Sequence, residues 1–326
     1  MWTNVVNHHD ASRLYRKLRR LGGADIADKL RVRGKDRVVA HWSDVSDLAG
    51  QWWDVPAVER RWNTFASGDE GVSFPQYAAG KWLSGRAGLR ALSLGCGTGG
   101  REIKWAQTGA FELITGIDVS PDAVRSAAGQ ASEAGLSDVL EFRAADFREV
   151  LGSGERYDVV LGLHSLHHFD RISETMQSIA GLLGDGGVLI FDEYVGPTKF
   201  QWTRGQMRAA NDLLAALPPE RRVQRDGRIK QRVQRPSLLS MRLDDPSEAV
   251  ESGDLLPALR RWFDVVAERP YGGTVLHIAL SGIAQNFLGE DAETKRLLAQ
   301  CFAAEDAVLP ALGHDFVYAV ARPKAA

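Results

Sequence analysis

Between residues 89 and 191 short apolar runs alternate with helical stretches. Runs at 89–94, 112–117, 140–144, 157–163 and 188–191 are each too short for a buried helix and predict strands. Helices are predicted at 101–108, from Ser120-Pro121 to about Ala134, and at 172–183, the last stopped by Gly184-Asp185-Gly186-Gly187. Continuous apolar strands separated by helices imply a parallel sheet covered on both faces. The alternation then lapses. Residues 196–258 are rich in Arg and contain Pro218-Pro219, Pro236 and Pro246, the texture of an inserted cap. Strand texture returns at 263–269 and 316–322, with a helix expected between them at about 275–287. Residues 1–90 show no sustained strand alternation, and Trp42, Trp52, Trp53, Trp62 and Trp82 read as helix-packing anchors, some facing a pocket.

The organisation expected is a helical N-terminal segment at 1–74, an α/β core at 75–195, a cap at 196–258, and C-terminal strands at 259–326 that complete the core. Composition changes little in this picture. The chain has 326 residues, 44% hydrophobic and 25% charged, with a net charge of −2. That balance gives no electrostatic case for nucleic acid or anionic lipid, and the Arg clusters at 13–20, 31–37 and 221–235 are offset elsewhere. No run of eighteen apolar residues predicts a membrane span. Cys96 and Cys301 stand far apart, which suits reduced thiols in a cytoplasm.

The chemistry is concentrated at strand ends. Leu94-Gly95-Cys96-Gly97-Thr98-Gly99-Gly100 follows the first strand, where glycine lets a ligand touch main chain without a Cβ in the way. Gly95, Gly97 and Gly100 also satisfy the dinucleotide pattern G-x-G-x-x-G, with Asp118 near the distance of a ribose partner. Glycines alone therefore leave a nicotinamide nucleotide open.

Taken with its surroundings, this run resembles motif I of class I S-adenosylmethionine (SAM)-dependent methyltransferases. Asp118-Val119 resembles the acidic residue ending the second strand that accepts from both ribose hydroxyls, and Asp146-Phe147 the pair at the adenine. Tyr157-Asp158-Val159-Val160 resembles motif IV, and 182–187 the turn before the fifth strand. The resemblance implies a Rossmann-like doubly wound seven-stranded sheet with an antiparallel last strand. It also implies SAM as cofactor, S-adenosylhomocysteine as product, and Gly95, Cys96, Gly97, Thr98, Gly99, Asp118, Val119, Asp146, Phe147 and His164 as cofactor-binding residues. The segment Glu193-Tyr194-Val195-Gly196-Pro197-Thr198-Lys199-Phe200-Gln201-Trp202 is similar to a bacterial group of small-molecule methyltransferases, without naming an acceptor.

Methyl transfer from a sulfonium needs alignment and exclusion of water, and a base only when the acceptor is a hydroxyl. His164-Ser165-Leu166-His167-His168 follows the fourth strand and resembles a segment in which a histidine faces the acceptor. Asp192 or Glu193 is the orienting acid, and alternation sends only one of them into the cleft. By the family's spacing His167 is the expected base with Glu193 as its partner, and His168 is the other candidate catalytic histidine. Tyr194, Gln201, Trp202, Arg235, Tyr271 and His277 are the expected acceptor-site residues. No metal is expected, because magnesium prefers all-oxygen shells and this segment offers histidines. The function expected is O-methylation of a sugar or specialised metabolite, with no nucleic-acid or membrane partner and with homodimerisation left open. N- or carboxyl-methylation and a non-catalytic SAM-binding module are the rivals.

Overall fold

A computed structural model describes residues 51–325. Seven strands form one sheet: β1 (Leu89–Leu94), β2 (Phe111–Asp118), β3 (Leu140–Ala144), β4 (Tyr157–Leu163), β5 (Leu183–Tyr194), β6 (Phe263–Pro270) and β7 (Phe316–Pro323). Their order is β3-β2-β1-β4-β5-β7-β6. β1 pairs in parallel with β2 and β4, while β7 runs antiparallel to both β5 and β6. This is the doubly wound seven-stranded α/β sheet with an antiparallel last strand. The order reverses between β1 and β4, and ligands of open α/β sheets bind outside the carboxyl ends at such a switch point.

Successive side chains point to opposite faces, so each central strand feeds two cores. Val159, Leu161, Leu163, Val188 and Ile190 join Trp52, Trp62, Tyr271 and Phe316 on one face. Val160, Leu189 and Phe191 join Ile172, Met176, Ile179, Leu255 and Leu259 on the other. The Pro56–Ser67 helix begins with proline at its first position and ends on Gly68 in the left-handed region, start and stop signals at opposite ends. Among the described residues no helix is long and apolar enough to cross a membrane. Trp42 and the clusters at 13–20 and 31–37 lie outside the described residues.

Three elements differ from the expectation. β5 is twelve residues, because Leu183 already pairs with Tyr157 of β4 and pairing with β7 carries the strand through Tyr194. The helix expected at 275–287 is broken into Leu276–Leu280 and a 3-10 turn, Ala284–Phe287, with Gly282 at φ 74° between them. The fifteen-residue helix Ala292–Asp306 escapes the pattern because Thr294 and Glu305 occupy buried positions on its stripe beside Leu297, Leu298 and Cys301. Residues 196–258 hold the helices Arg204–Ala216 and Leu238–Asp244, and the Leu255–Trp262 helix that follows packs on the sheet.

Candidate active site

The turn after β1 is built from backbone. Gly95 N–H and Cys96 N–H donate to the Ile117 carbonyl at 2.8 and 3.0 Å, tying the turn to the end of β2. Gly95 sits at φ 70°, and a Cβ there would lie 2.7 Å from the Ser165 Cβ. Glycine is thus required twice over, and the loop after β4 lies directly against the glycine loop. Gly97, at φ 53°, has open space where a Cβ would stand, so its main chain faces the cleft. Asp118 accepts from Gly97 N–H (3.0 Å) and Ser120 N–H (2.8 Å). Burial pushes its carboxyl up, and these N–H groups pull it back. Open main chain at Gly97 beside a carboxylate ending β2 fits the ribose and amino-acid portions of SAM. Asp146 caps the Phe147–Leu151 helix through Arg148 N–H, and Phe147 stacks on Phe169 with ring centroids 3.8 Å apart.

The second half of the site is built from side chains. Asp192 and Glu193 are consecutive on β5 and enter different networks. Glu193 is fully buried; one oxygen accepts from Ser165 and Leu166 N–H, both at 2.7 Å, and the other lies 2.7 Å from His167 Nδ1. Burial pushes the Glu193 carboxyl up to about 7 against those donors, and holds the His167 imidazole down to about 3. A neutral ring that donates from Nδ1 to Glu193 leaves the Nε2 lone pair available, a tautomer assigned from the hydrogen-bond network.

Asp192 faces the other way. It accepts from Tyr271 Oη at 2.6 Å and lies 3.1 Å from His164 Nε2, which is also 3.1 Å from Tyr271 Oη. His164 is held at φ 56°, its N–H donating to the Asp192 carbonyl, with Trp53 and Trp62 each 6.4 Å from its ring. A non-glycine residue in this region is a locally strained one.

The cap closes over the histidines. Val250 N–H donates to the His167 carbonyl, and Lys199 N–H to the Ala249 carbonyl. Lys199, Phe200 and Ala249 all have positive φ, so backbone strain gathers where the cap meets the loop after β4. Glu248 Oε1 lies 3.6 Å from His167 Nε2, and Asp245 Oδ2 lies 4.0 Å from His168 Nδ1. His167, His168 and Glu248 each offer a ligand atom within 4.8 Å of the others. The sequence gives these two acids no role, although Asp245-Pro246-Ser247-Glu248-Ala249 continues the family-like pattern, because they reach the histidines only through the docking of a segment some 80 residues away.

The expected acceptor residues fall into three places. Tyr271 joins His164 and Asp192. Tyr194 and Trp202 are buried, and with Phe200 they surround His277, whose ring also stacks on Trp52. Burial holds the His277 imidazole down to about 3. Gln201 donates to the Lys199 and Pro236 carbonyls and so ties the start of the cap to its interior. Arg235 is half-buried in the same segment.

Residues 86–238 match a family model described as a methyltransferase domain. The chain is 34% identical over 110 residues to 27-O-demethylrifamycin SV methyltransferase of Amycolatopsis mediterranei, covering 34% of this chain and 40% of that protein. It is 29% identical over 102 residues to a ubiquinone biosynthesis O-methyltransferase of a Methylobacterium species, covering 31% and 39%. The chain thus spans about 40% of the length of these relatives. A solved methyltransferase from Geobacter sulfurreducens with bound S-adenosylhomocysteine aligns at a TM-score of 0.42 and 18% identity, over 77% of this chain and 90% of that one. Residues 86–238 therefore carry a methyltransferase domain, similar to the class I SAM-dependent methyltransferases whose motifs the glycine turn and Asp118 resemble.

Proposed function

We propose that the chain is an O-methyltransferase that transfers the methyl group of SAM to a hydroxyl of a small molecule, such as a sugar or specialised metabolite. One observation carries this reading: the loop bearing the His167–Glu193 pair packs on the glycine turn, with Ser165 against Gly95. An activating histidine therefore stands beside the cofactor cradle. The two relatives named above, one an O-methyltransferase by name and the other a methyltransferase of an O-demethylated compound, support the same reading.

Bound SAM supplies an already activated methyl group. In the transfer the oxygen–carbon bond forms as the carbon–sulfur bond breaks, leaving S-adenosylhomocysteine. The chain aligns the acceptor oxygen with the methyl, excludes water beneath the cap, and activates the hydroxyl at the His167–Glu193 pair, so that its proton can leave. Trp53, Trp62, Tyr271 and His164 would wall the acceptor on the opposite side.

The test is S-adenosylhomocysteine release across a panel of hydroxyl, amine and carboxylate acceptors. The panel is run with the wild-type chain, His167→Ala and Glu193→Gln, and SAM affinity is followed by calorimetry. Methylation of a hydroxyl acceptor, lost in both variants with SAM affinity kept, supports the reading. Turnover of amines or carboxylates alone would replace it with base-free methylation. Tight SAM binding without turnover of any acceptor would point to a binding module.

A further inference from the structure

We propose that His167, His168 and Glu248 form a binding site for a divalent first-row transition-metal ion, of which zinc is the type. The binding stands on geometry alone. Its chemical role, activation of the acceptor hydroxyl, rests on the reading of this cleft as the acceptor site.

Three features make the cluster a metal site rather than a polar patch. The first is donor type. Two imidazoles and one carboxylate suit zinc, iron, nickel or copper, and are a poor match for magnesium or calcium. The second is spacing. His167 Nε2 and Glu248 Oε1 are 3.6 Å apart, too far for a hydrogen bond. Ligands about 2.0–2.1 Å from a tetrahedral zinc are separated by roughly 3.3 Å, close to that value. The widest separation in the group is within 4.8 Å, which small side-chain rotations would close. The third is orientation from behind. Glu193 holds His167 Nδ1 at 2.7 Å and turns Nε2 towards Glu248, the carboxylate–histidine arrangement that fixes ligand rings around metals.

The surroundings agree. The His167 and His168 rings lie tilted against each other with centroids 4.2 Å apart, and each brings a nitrogen within 4.8 Å of the other and of a Glu248 oxygen. Asp245 stands 4.0 Å from His168 Nδ1 and adds negative charge next to the cation. His167 is buried while His168 and Glu248 are half-buried, which leaves the site an open side for entry. Three protein ligands with one open position is the pattern of a catalytic rather than a structural ion. A hydroxyl taking that position would lose its proton more readily, as metal-bound water does, the proton passing to water at the open side because both His167 nitrogens are then engaged. Activation at the His167–Glu193 pair would then pass through the ion, with His167 as ligand and Glu193 as its positioning residue.

The experiment uses the full chain, stripped with a chelator and reloaded with zinc or cobalt(II). Metal content is measured by elemental mass spectrometry and cobalt ligation by visible absorption. The expected result is one ion per chain and a cobalt spectrum of four-coordinate nitrogen and oxygen ligation. Affinity should fall about tenfold to a hundredfold or more in Glu248→Gln and in His168→Ala. SAM calorimetry on the same samples shows that both variants remain folded. Failure to retain a stoichiometric ion, or equal retention by both variants, would overturn the site. The two proposals fail separately. Hydroxyl methylation by metal-free chain would overturn the ion's chemical role and keep the function, whereas a bound ion without hydroxyl turnover would keep the ion and remove the function.

Discussion

The two halves of the site are made of different materials. On the cofactor side, between β1 and β3, the contacts are main chain to main chain or main chain to a nearby carboxylate, as in Gly97 to Asp118. On the acceptor side, beyond β4 and β5, main-chain contacts are joined by side chain to side chain pairs across 26 to 107 residues, as in His167–Glu193 and His164–Tyr271. A backbone cradle depends on glycine and turn geometry and is insensitive to most neighbouring side chains. A side-chain network depends on the docking of distant segments. One half can therefore stay constant while the other is rebuilt for a different acceptor.

Four substitutions test that division, from the largest expected effect to the smallest. His167→Ala should lower kcat by about 10²- to 10⁴-fold, the usual worth of a positioned activating group, while SAM affinity by calorimetry moves little. A matching loss of SAM affinity would erase the division. Asp118→Ala should do the reverse and weaken SAM about a hundredfold or more, since two hydrogen bonds to a charged acceptor contribute about 3 kcal/mol or more. Measured at saturating SAM, its kcat should recover most of the wild-type value.

Asp315 probes stability on the acceptor side. Burial pushes its carboxyl from 3.8 up to about 8, with Gln206 Nε2 donating to both oxygens. The folded state thus holds this proton more tightly than the unfolded one. The resulting stabilisation is complete below about pH 4 and is lost as pH rises towards 8. Urea unfolding at pH 5 and pH 8 should show a decline of at least about 1 kcal/mol attributable to this group. Asp315→Asn, which keeps the shape and an acceptor oxygen, should flatten that part of the decline; an unchanged slope would assign it to other groups. Gln201→Ala is the mildest. Removing two hydrogen bonds to cap carbonyls should cost about 1 kcal/mol in thermal unfolding and raise the acceptor KM more than it lowers kcat.

The same division explains what the sequence discloses. β1 and β3 have the bounds that their apolar runs predict, and the glycine turn lies where its residues stand in the chain, because each depends on neighbours in sequence. Strand alternation alone separates Asp192 from Glu193. It does not say what lies above either face, so the Tyr271 partner of Asp192 and the approach of Glu248 to His167 are not legible. Both require knowing how segments about 80 residues away fold back. The Ala292–Asp306 helix is hidden for a related reason. Its buried Glu305 accepts from Val275 and Leu276 N–H, a tertiary bond that places an acid where the pattern demands an apolar residue.

The adjacency of Asp192 and Glu193 makes the pleat of β5 a sorting device. Register with β7 sets Asp192 opposite Tyr318 and Glu193 opposite Val317. A slip of one residue would send each acid to the other's compartment, placing a carboxylate among the apolar side chains under one face and stripping His167 of its partner. Insertions and deletions should accordingly be tolerated in the 223–229 hairpin of the cap and rejected anywhere in β5 or β7. Diversification of the acceptor pocket is thereby confined to changes of side chain and of cap length.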